Sequence, residues 1–363
     1  MRLDRLTVQD FRNLRSATLA PAPRLTVLCG PNGQGKTNLL ESIWMLTGGK
    51  SFRGAKDAEL IRRGQPFGVV EAAFEAGGRP QTLRLTVGSR ESGRPGRRAR
   101  LNGADRGRAA SVAGTFTAVV FEPNHLSLVK GGPDGRRHFL DAALCQLYPG
   151  YLAALRRAAR ITAQKNALLK AYDITPGGEM LLDTYNEALT AAGAEVMRRR
   201  AEYLQRLAPL AAANYRDISS GAETLALCYC PCCDPDADAL AARLRAVRSA
   251  ELRAGFCLAG PHREDVEILL DGQPGKIYGS QGQQRSAVLA MKLAEATLAG
   301  EVLGEHPVML LDDVLSELDD ARQTYLLTRI EDKQTFVTTC DSAAFARTNG
   351  MLVQVLAGEV RAC

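Results

Sequence analysis

Residues 30–37 read GPNGQGKT, and their flanks restrict the chain to a narrow set of folds. The apolar run Leu25-Thr26-Val27-Leu28-Cys29 before them predicts a strand. Asn38, Leu39, Leu40, Ile43 and Trp44 after them predict a helix that starts near Lys36. Strand, glycine-rich loop and helix in that order make a phosphate-binding loop. Gly30, Gly33 and Gly35 let the backbone turn so that successive N–H groups converge on an anion. The helix N-terminus adds partial positive charge. On this reading Gly30, Pro31, Asn32, Gly33, Gln34, Gly35, Lys36, Thr37 and Asn38 cradle ATP. Lys36 reaches the β- and γ-phosphates, and the Thr37 hydroxyl ligates Mg2+.

Two later segments narrow the reading. YGSQGQQRS at 278–286 opens a stretch with Val288, Leu289, Met291, Leu293, Ala294 and Leu298 at helical spacing. A small hydroxyl residue and a glycine at such a helix start suit anion binding by backbone amides. Next comes the apolar strand Val308-Met309-Leu310-Leu311, which delivers Asp312 and Asp313 at its C-terminal end. Asp312 fits the hard-oxygen Mg2+ ligand of a Walker B strand. Asp313 stands where a longer Glu usually orients or deprotonates the attacking water; the shorter side chain suits slow hydrolysis in a switch. Ser316-Glu317-Leu318-Asp319 is similar to a D-loop, with Ser316 and Asp319 as its candidate residues. In this order the segments resemble an ABC-type ATPase, in which Ser280, Gln281, Gly282 and Gln283 act in trans on nucleotide held by a second copy.

Composition bounds the alternatives. A chain of 363 residues with 45% hydrophobic content fills a core and accommodates two lobes. No apolar run approaches the roughly 20 residues that span a bilayer, and MRLDRLTVQDFRN lacks a signal-peptide core, so a cytoplasmic, nucleoid-associated location is expected. The net charge of +6 permits nucleic-acid binding without demanding it. Nine cysteines at no framework spacing predict reduced thiols. Cys228, Cys230, Cys232 and Cys233 cluster, but C-x-C-x-C-C lacks paired metal hooks, and a strand running into a Pro-containing turn describes the run better.

The α/β pattern divides into an N-terminal part of an ATPase head (1–125), a mainly helical inserted lobe (126–250) and a C-terminal part of the head (251–363). Short β-type runs fill the first part, and Asn102-Gly103 is a two-residue hairpin signal. Residues 90–108 carry seven Arg against one Glu and one Asp. This hairpin is either a phosphate-contacting patch or a solvated charged surface. Arg94, Arg97, Arg98 and Arg100 are its DNA-contact candidates, with Arg156, Arg157, Arg198, Arg199 and Arg200 in the inserted lobe. Helices at 151–172 and 181–214, broken at Pro176-Gly177-Gly178, predict an antiparallel pair with no long coiled coil.

Taken with FRN at 11–13, GKSFRGAKDAELIRRG at 49–64, VVFEPNHLSLVKGGPDGRRHFLD at 119–141, AGPHREDVEILLDG at 259–272, LLDDVLSELDDARQTYLL at 310–327 and TFVTTCD at 335–341, these motifs make the chain similar to the RecF family along its whole length. The resemblance implies a weak ATPase using ATP and Mg2+, which dimerises on ATP and binds DNA at single-strand gaps and single/double-strand junctions. It implies a role in recombinational repair, replication restart and the SOS response, with RecR and RecO as partners and RecA loaded downstream. It also implies a switch loop at Thr339 and Asp341. No Gln near 115–125 supplies a Q-loop residue. The rival reading is an SMC-like structural head that organises chromosomes, which requires long coiled-coil arms. A metabolic P-loop kinase would lack the signature at 280–283.

Overall fold

The computed structural model describes residues 1–89, 93, 95–341 and 350–362, and every statement below concerns those residues. Arg94 lies outside them. An antiparallel six-stranded sheet has the order β2-β1-β4-β5-β6-β7. It is built from β1 (Arg2–Phe11), β2 (Leu14–Leu19), β4 (Phe67–Ala76), β5 (Arg79–Gly88), β6 (Gly96–Leu101) and β7 (Ala104–Arg108). A second sheet has the order β15-β14-β3-β13-β12-β8, parallel except for the β14–β15 hairpin. Its strands are β3 (Leu25–Cys29), β8 (Ala118–Phe121), β12 (Val308–Leu311), β13 (Thr335–Thr339), β14 (Met351–Leu356) and β15 (Glu359–Ala362).

Strands covered on both faces read as continuous apolar runs. AVVF in β8 and VMLL in β12 are buried throughout. Val27, Met309, Leu311 and Val337 face α8 (Gln281–Leu303) and α9 (Asp320–Ile330). Leu28, Val308, Leu310 and Phe336 face α1 (Lys36–Met45) and the antiparallel sheet behind it.

The inserted lobe holds α2 (Ser127–Lys130), α3 (Pro133–Leu147), α4 (Tyr151–Lys170), α5 (Gly178–Ile218), α6 (Ala237–Ala254) and α7 (Gly275–Tyr278). A small antiparallel sheet completes it: β9 (Leu225–Cys230), β10 (Asp265–Leu270) and β11 (Gln273–Pro274). The expected boundary at 250 is therefore misplaced. Asp265 to Leu270 pair with Leu225 to Cys230 and share one core with α5 and α6, so the lobe runs on to the start of α8. The helix expected at 181–214 is longer, a 41-residue α5. Cys228 and Cys230 lie exposed on β9, whereas the Cys232 sulfur turns toward Gly260, accepting its N–H at 3.2 Å.

Packing corrects two of the DNA-contact candidates. Arg200 is buried. Its guanidinium makes two bonds of 2.9 Å to the Asp141 carboxylate, one of 2.6 Å to Glu264 and one of 2.7 Å to the Pro261 carbonyl. It joins α3, α5 and the approach to β10 from inside, where no phosphate reaches it. Arg97 is turned inward by strand alternation, which leaves Arg98 and Arg100 on the outer face. It bonds the Gly49 carbonyl and pairs with Asp57 at 3.0 Å. Arg198 and Arg199 are surface residues already paired with Glu195 and Glu202. Arg156 and Arg157 are exposed on α4.

Removing one partner of a buried ion pair strands the other charge. Arg200→Ala is expected to cost about 3–5 kcal/mol in urea unfolding, against under about 0.5 kcal/mol for Arg157→Ala. Equal effects of the two changes would overturn this placement.

Candidate functional site

The Walker loop takes the shape its glycines permit. Gly30 has φ +148°, and a Cβ there would lie 2.3 Å from the Val355 carbonyl oxygen. Gly35 starts α1 at φ +117°, where a Cβ would meet Asn13 Oδ1 at 2.8 Å. The loop is braced from outside. Asn13 Nδ2 donates to the Gln34 carbonyl at 3.1 Å, and Asn38 Nδ2 donates to Asn13 Oδ1 at 2.8 Å. The turn between β14 and β15 donates from Ala357 N–H to Gln34 Oε1 at 2.7 Å. These contacts give the FRN segment a task that its sequence did not reveal. Lys36 Nζ, buried, donates to the carbonyls of Gly30 at 2.6 Å and Pro31 at 3.0 Å.

Thr37 and the Walker B carboxylate meet as the motifs require. Thr37 Oγ1 donates to Asp312 Oδ1 at 2.7 Å, and the Thr338 hydroxyl donates to the same oxygen at 3.0 Å. Burial pushes the Asp312 carboxyl up, while these two hydroxyls and Arg53 hold it down. A buried carboxylate beside a threonine hydroxyl is a fitting pair of hard donors for Mg2+. Asp313 follows with φ +51°, a left-handed conformation uncommon outside glycine, and is exposed. The Ser316 hydroxyl lies 3.1 Å from Asp313 Oδ1 and 2.7 Å from its carbonyl oxygen.

Ser280 caps α8: its hydroxyl accepts the Gln283 N–H at 3.2 Å, and Gln283 Oε1 accepts the Ser280 N–H at 2.8 Å. Gln283 Nε2 also reaches Glu223 at 3.0 Å. Ser280 and Gln281 are exposed, Gly282 and Gln283 partly so. Among the described residues the hydrogen bonds of Ser280–Gln283 do not reach the Walker loop of their own chain. Asp319 caps α9, and Arg322 spans from Asp319 to the Ser286 hydroxyl, 2.8 Å away, tying the D-loop to α8.

At the switch position Thr339 and Asp341 bond each other, with Thr339 Oγ1 donating to the Asp341 carbonyl at 3.0 Å. The side chain that touches the Walker loop is the one between them. Cys340 Sγ donates to Asn32 Oδ1 at 2.9 Å and accepts from Lys36 Nζ at 3.4 Å. Reading a motif as polar residues had passed over this thiol.

Two further groups were missed. Arg53 donates to Asn38 Oδ1 at 2.9 Å and acts on both Asp312 and Glu122. Glu122 is the first residue after β8, beside Walker B, where no Gln had been found. Burial raises its carboxyl to about 7, Lys292 on α8 opposes that, and Asp312 adds to it. His125, 3.6 Å away, is itself pushed well below its usual range by burial.

The sheet order, the braced loop and the paired carboxylates define a P-loop ATPase head of the ABC and SMC class. A family profile described as RecF/RecN/SMC N terminal domain matches residues 2–360. The DNA replication and repair protein RecF of a Synechococcus species is 40% identical, over 98% of this chain and 96% of that protein. RecF of Halalkalibacterium halodurans is 38% identical over 93% and 92%. A solved structure of the recombination mediator protein RecF with ATP, in the RecFOR pathway, superposes with TM-score 0.92 at 31% identity, covering 100% of this chain and 97% of that one. An Smc head domain from Pyrococcus furiosus shares the fold at TM-score 0.57 and 15% identity. The chain belongs to the RecF family. It is an ATP-binding head without a long coiled coil, and no helix among the described residues is long and apolar enough to cross a membrane.

Because the Glu122 carboxyl is raised in the fold, its contribution to stability is complete below about pH 4.5 and is lost as pH rises through about 7. Glu122→Gln escapes that loss. In urea unfolding of nucleotide-free protein the variant should match the parent near pH 4 and exceed it by up to about 3 kcal/mol at pH 8. A gap independent of pH would contradict the assignment.

Proposed function

We propose that this protein is a slow, nucleotide-switched ATPase that closes into a homodimer on ATP and then grips DNA at single-strand gaps and single/double-strand junctions. In this reading it works with RecR and RecO toward loading of RecA. The observation that carries it is the state of α8: a capped, exposed helix N-terminus at Ser280, unengaged with its own Walker loop and open to an anion presented by another molecule. The kinship with RecF proteins supports the repair role.

In that cycle Lys36 leaves the carbonyls of Gly30 and Pro31 for the phosphates, and the amides of the loop take up the remaining phosphate charge. Thr37 and Asp312 would hold Mg2+, which when bound would supply charge neutralisation to the phosphates. Asp313 orients the water, and Ser280 of one copy meets the γ-phosphate held by the other. DNA contact is assigned to the outer face of the antiparallel sheet. There Arg84, Arg98 and Arg100, with Phe67 and Thr86, line a groove of about 720 Å3. Arg156 and Arg157 on α4 supply further exposed charge. Closure of two copies doubles both patches.

Lys36→Ala should abolish ATP-dependent dimers in light scattering. Asp313→Asn should retain them while slowing turnover by about 100-fold or more. Ser280→Arg should keep monomer ATP affinity and lose both dimers and turnover. A monomer–dimer balance indifferent to ATP would sink the sandwich.

The corrected face gives a sharper DNA test than a whole-hairpin change. Arg98→Glu together with Arg100→Glu should weaken DNA binding and lower the slope of log affinity against log salt by about two, leaving DNA-free ATPase intact. Unchanged affinity and slope would remove this sheet face from the DNA surface.

A further inference from the structure

We infer that Thr338 is a positioning residue for ATP hydrolysis, holding the two Walker B carboxylates in their working relation. The inference rests on the ATPase reading above and deepens it. Thr338 is the fourth residue of β13 and is buried. Its one hydroxyl is used in both directions. It donates to Asp312 Oδ1 at 3.0 Å and accepts the Asp313 backbone N–H at 2.8 Å.

Those two bonds do different work. The first fixes the rotation of a buried carboxylate and directs it toward Thr37. The second supports a residue that its own backbone disfavours: Asp313 sits at φ +51°, in the left-handed region that residues other than glycine seldom adopt. Without an acceptor for its N–H, Asp313 has less reason to stay there, and its carboxylate, carried on the short side chain noted earlier, would swing away from the attacking water. One hydroxyl therefore couples the metal-side carboxylate to the water-side carboxylate. An alkyl side chain of the same shape could fill the space and do neither.

Thr338→Val keeps the β-branched shape suited to an interior strand, and Thr338→Ser restores the hydroxyl. Three quantities are measured on the full-length protein: ATP affinity, turnover at saturating ATP, and the affinity of the ATP complex for Mn2+ by electron paramagnetic resonance. Thr338→Val should lower turnover and weaken Mn2+ binding by ~10–100-fold, as expected when a group orienting a metal ligand is lost. ATP affinity without metal should stay within about threefold, and Thr338→Ser should lie close to the parent, since it keeps both bonds. Turnover and Mn2+ affinity of Thr338→Val within twofold of the parent would overturn the inference. So would equal losses in the Val and Ser variants, or a matching loss of metal-free ATP affinity, which would mark a merely structural role. A parent protein that binds ATP and Mn2+ but does not turn over would refute the ATPase reading, and the Mn2+ comparison would still decide whether Thr338 orients Asp312.

Discussion

The parallel pairing of β12 with β13 is the constraint on which the nucleotide site depends. Leu311 lies beside Val337, so Asp312 emerges beside Thr338; β13 in turn sets Thr338 and Thr339 beside Leu28 and Cys29 at the entry to the Walker loop. A slip of one residue would reverse every side chain between the faces of the sheet. Thr338 would leave Asp312, and Phe336 and Val337 would exchange the two cores they now fill. The apolar faces thus fix the register, and the register fixes the chemistry. Few polar contacts are asked to define the site alone.

The same economy governs α8. It is apolar nearly all round, the signature of a helix enclosed on every side. Ala287, Ala290, Met291 and Ala294 pack into the core of the inserted lobe, and Leu289, Leu293 and Ala296 pack against the parallel sheet. A helix shared by two cores moves with both or with neither. The lobe it enters is stiffened by charges buried among its helices, Arg200 with Asp141 and Glu264, and Lys165 with Glu251 at 2.8 Å. Such pairs add little net stability but penalise any rearrangement that separates them. The exposed start of α8 is therefore presented by a rigid body.

What the sequence disclosed follows the range of the interactions involved. The Walker loop, the β12 carboxylates, the α8 cap and the Asn102-Gly103 turn are encoded within a few residues, and each takes the local conformation its sequence predicts, with Asn102 at φ +51° and Gly103 at +81°. Contacts between distant segments were the ones lost. Arg200 stands in a run of three arginines that reads as one charged surface; its burial is dictated by Asp141 and Glu264, far away in the chain. The division between Arg97 and its neighbours was present as a period of two, but only the packing of Asp57 and Gly49 shows which face is inside. The lobe boundary failed for the same reason, since β9 and β10 become partners only across α6. Cys340 and Glu122 matched no expected residue type, and position alone placed them at the site.

Asp313 stands between two sets of contacts. Thr37, Asp312, Thr338, Lys36 and Cys340 form one set, gathered around the Walker loop. The other runs from the exposed Ser280 and Gln281 to the buried Ser286, which Arg322 ties to Asp319. The Asp313 N–H is tied to the first set through Thr338, and its carboxylate lies against the Ser316 hydroxyl of the loop that leads to the second. The Asp313 backbone is thus pinned from inside by Thr338, while its carboxylate is met by the exposed Ser316 hydroxyl at 3.1 Å. Backbone and carboxylate of this one residue therefore rest on different neighbours, one buried in β13 and the other at the surface, so that either contact can change without the other.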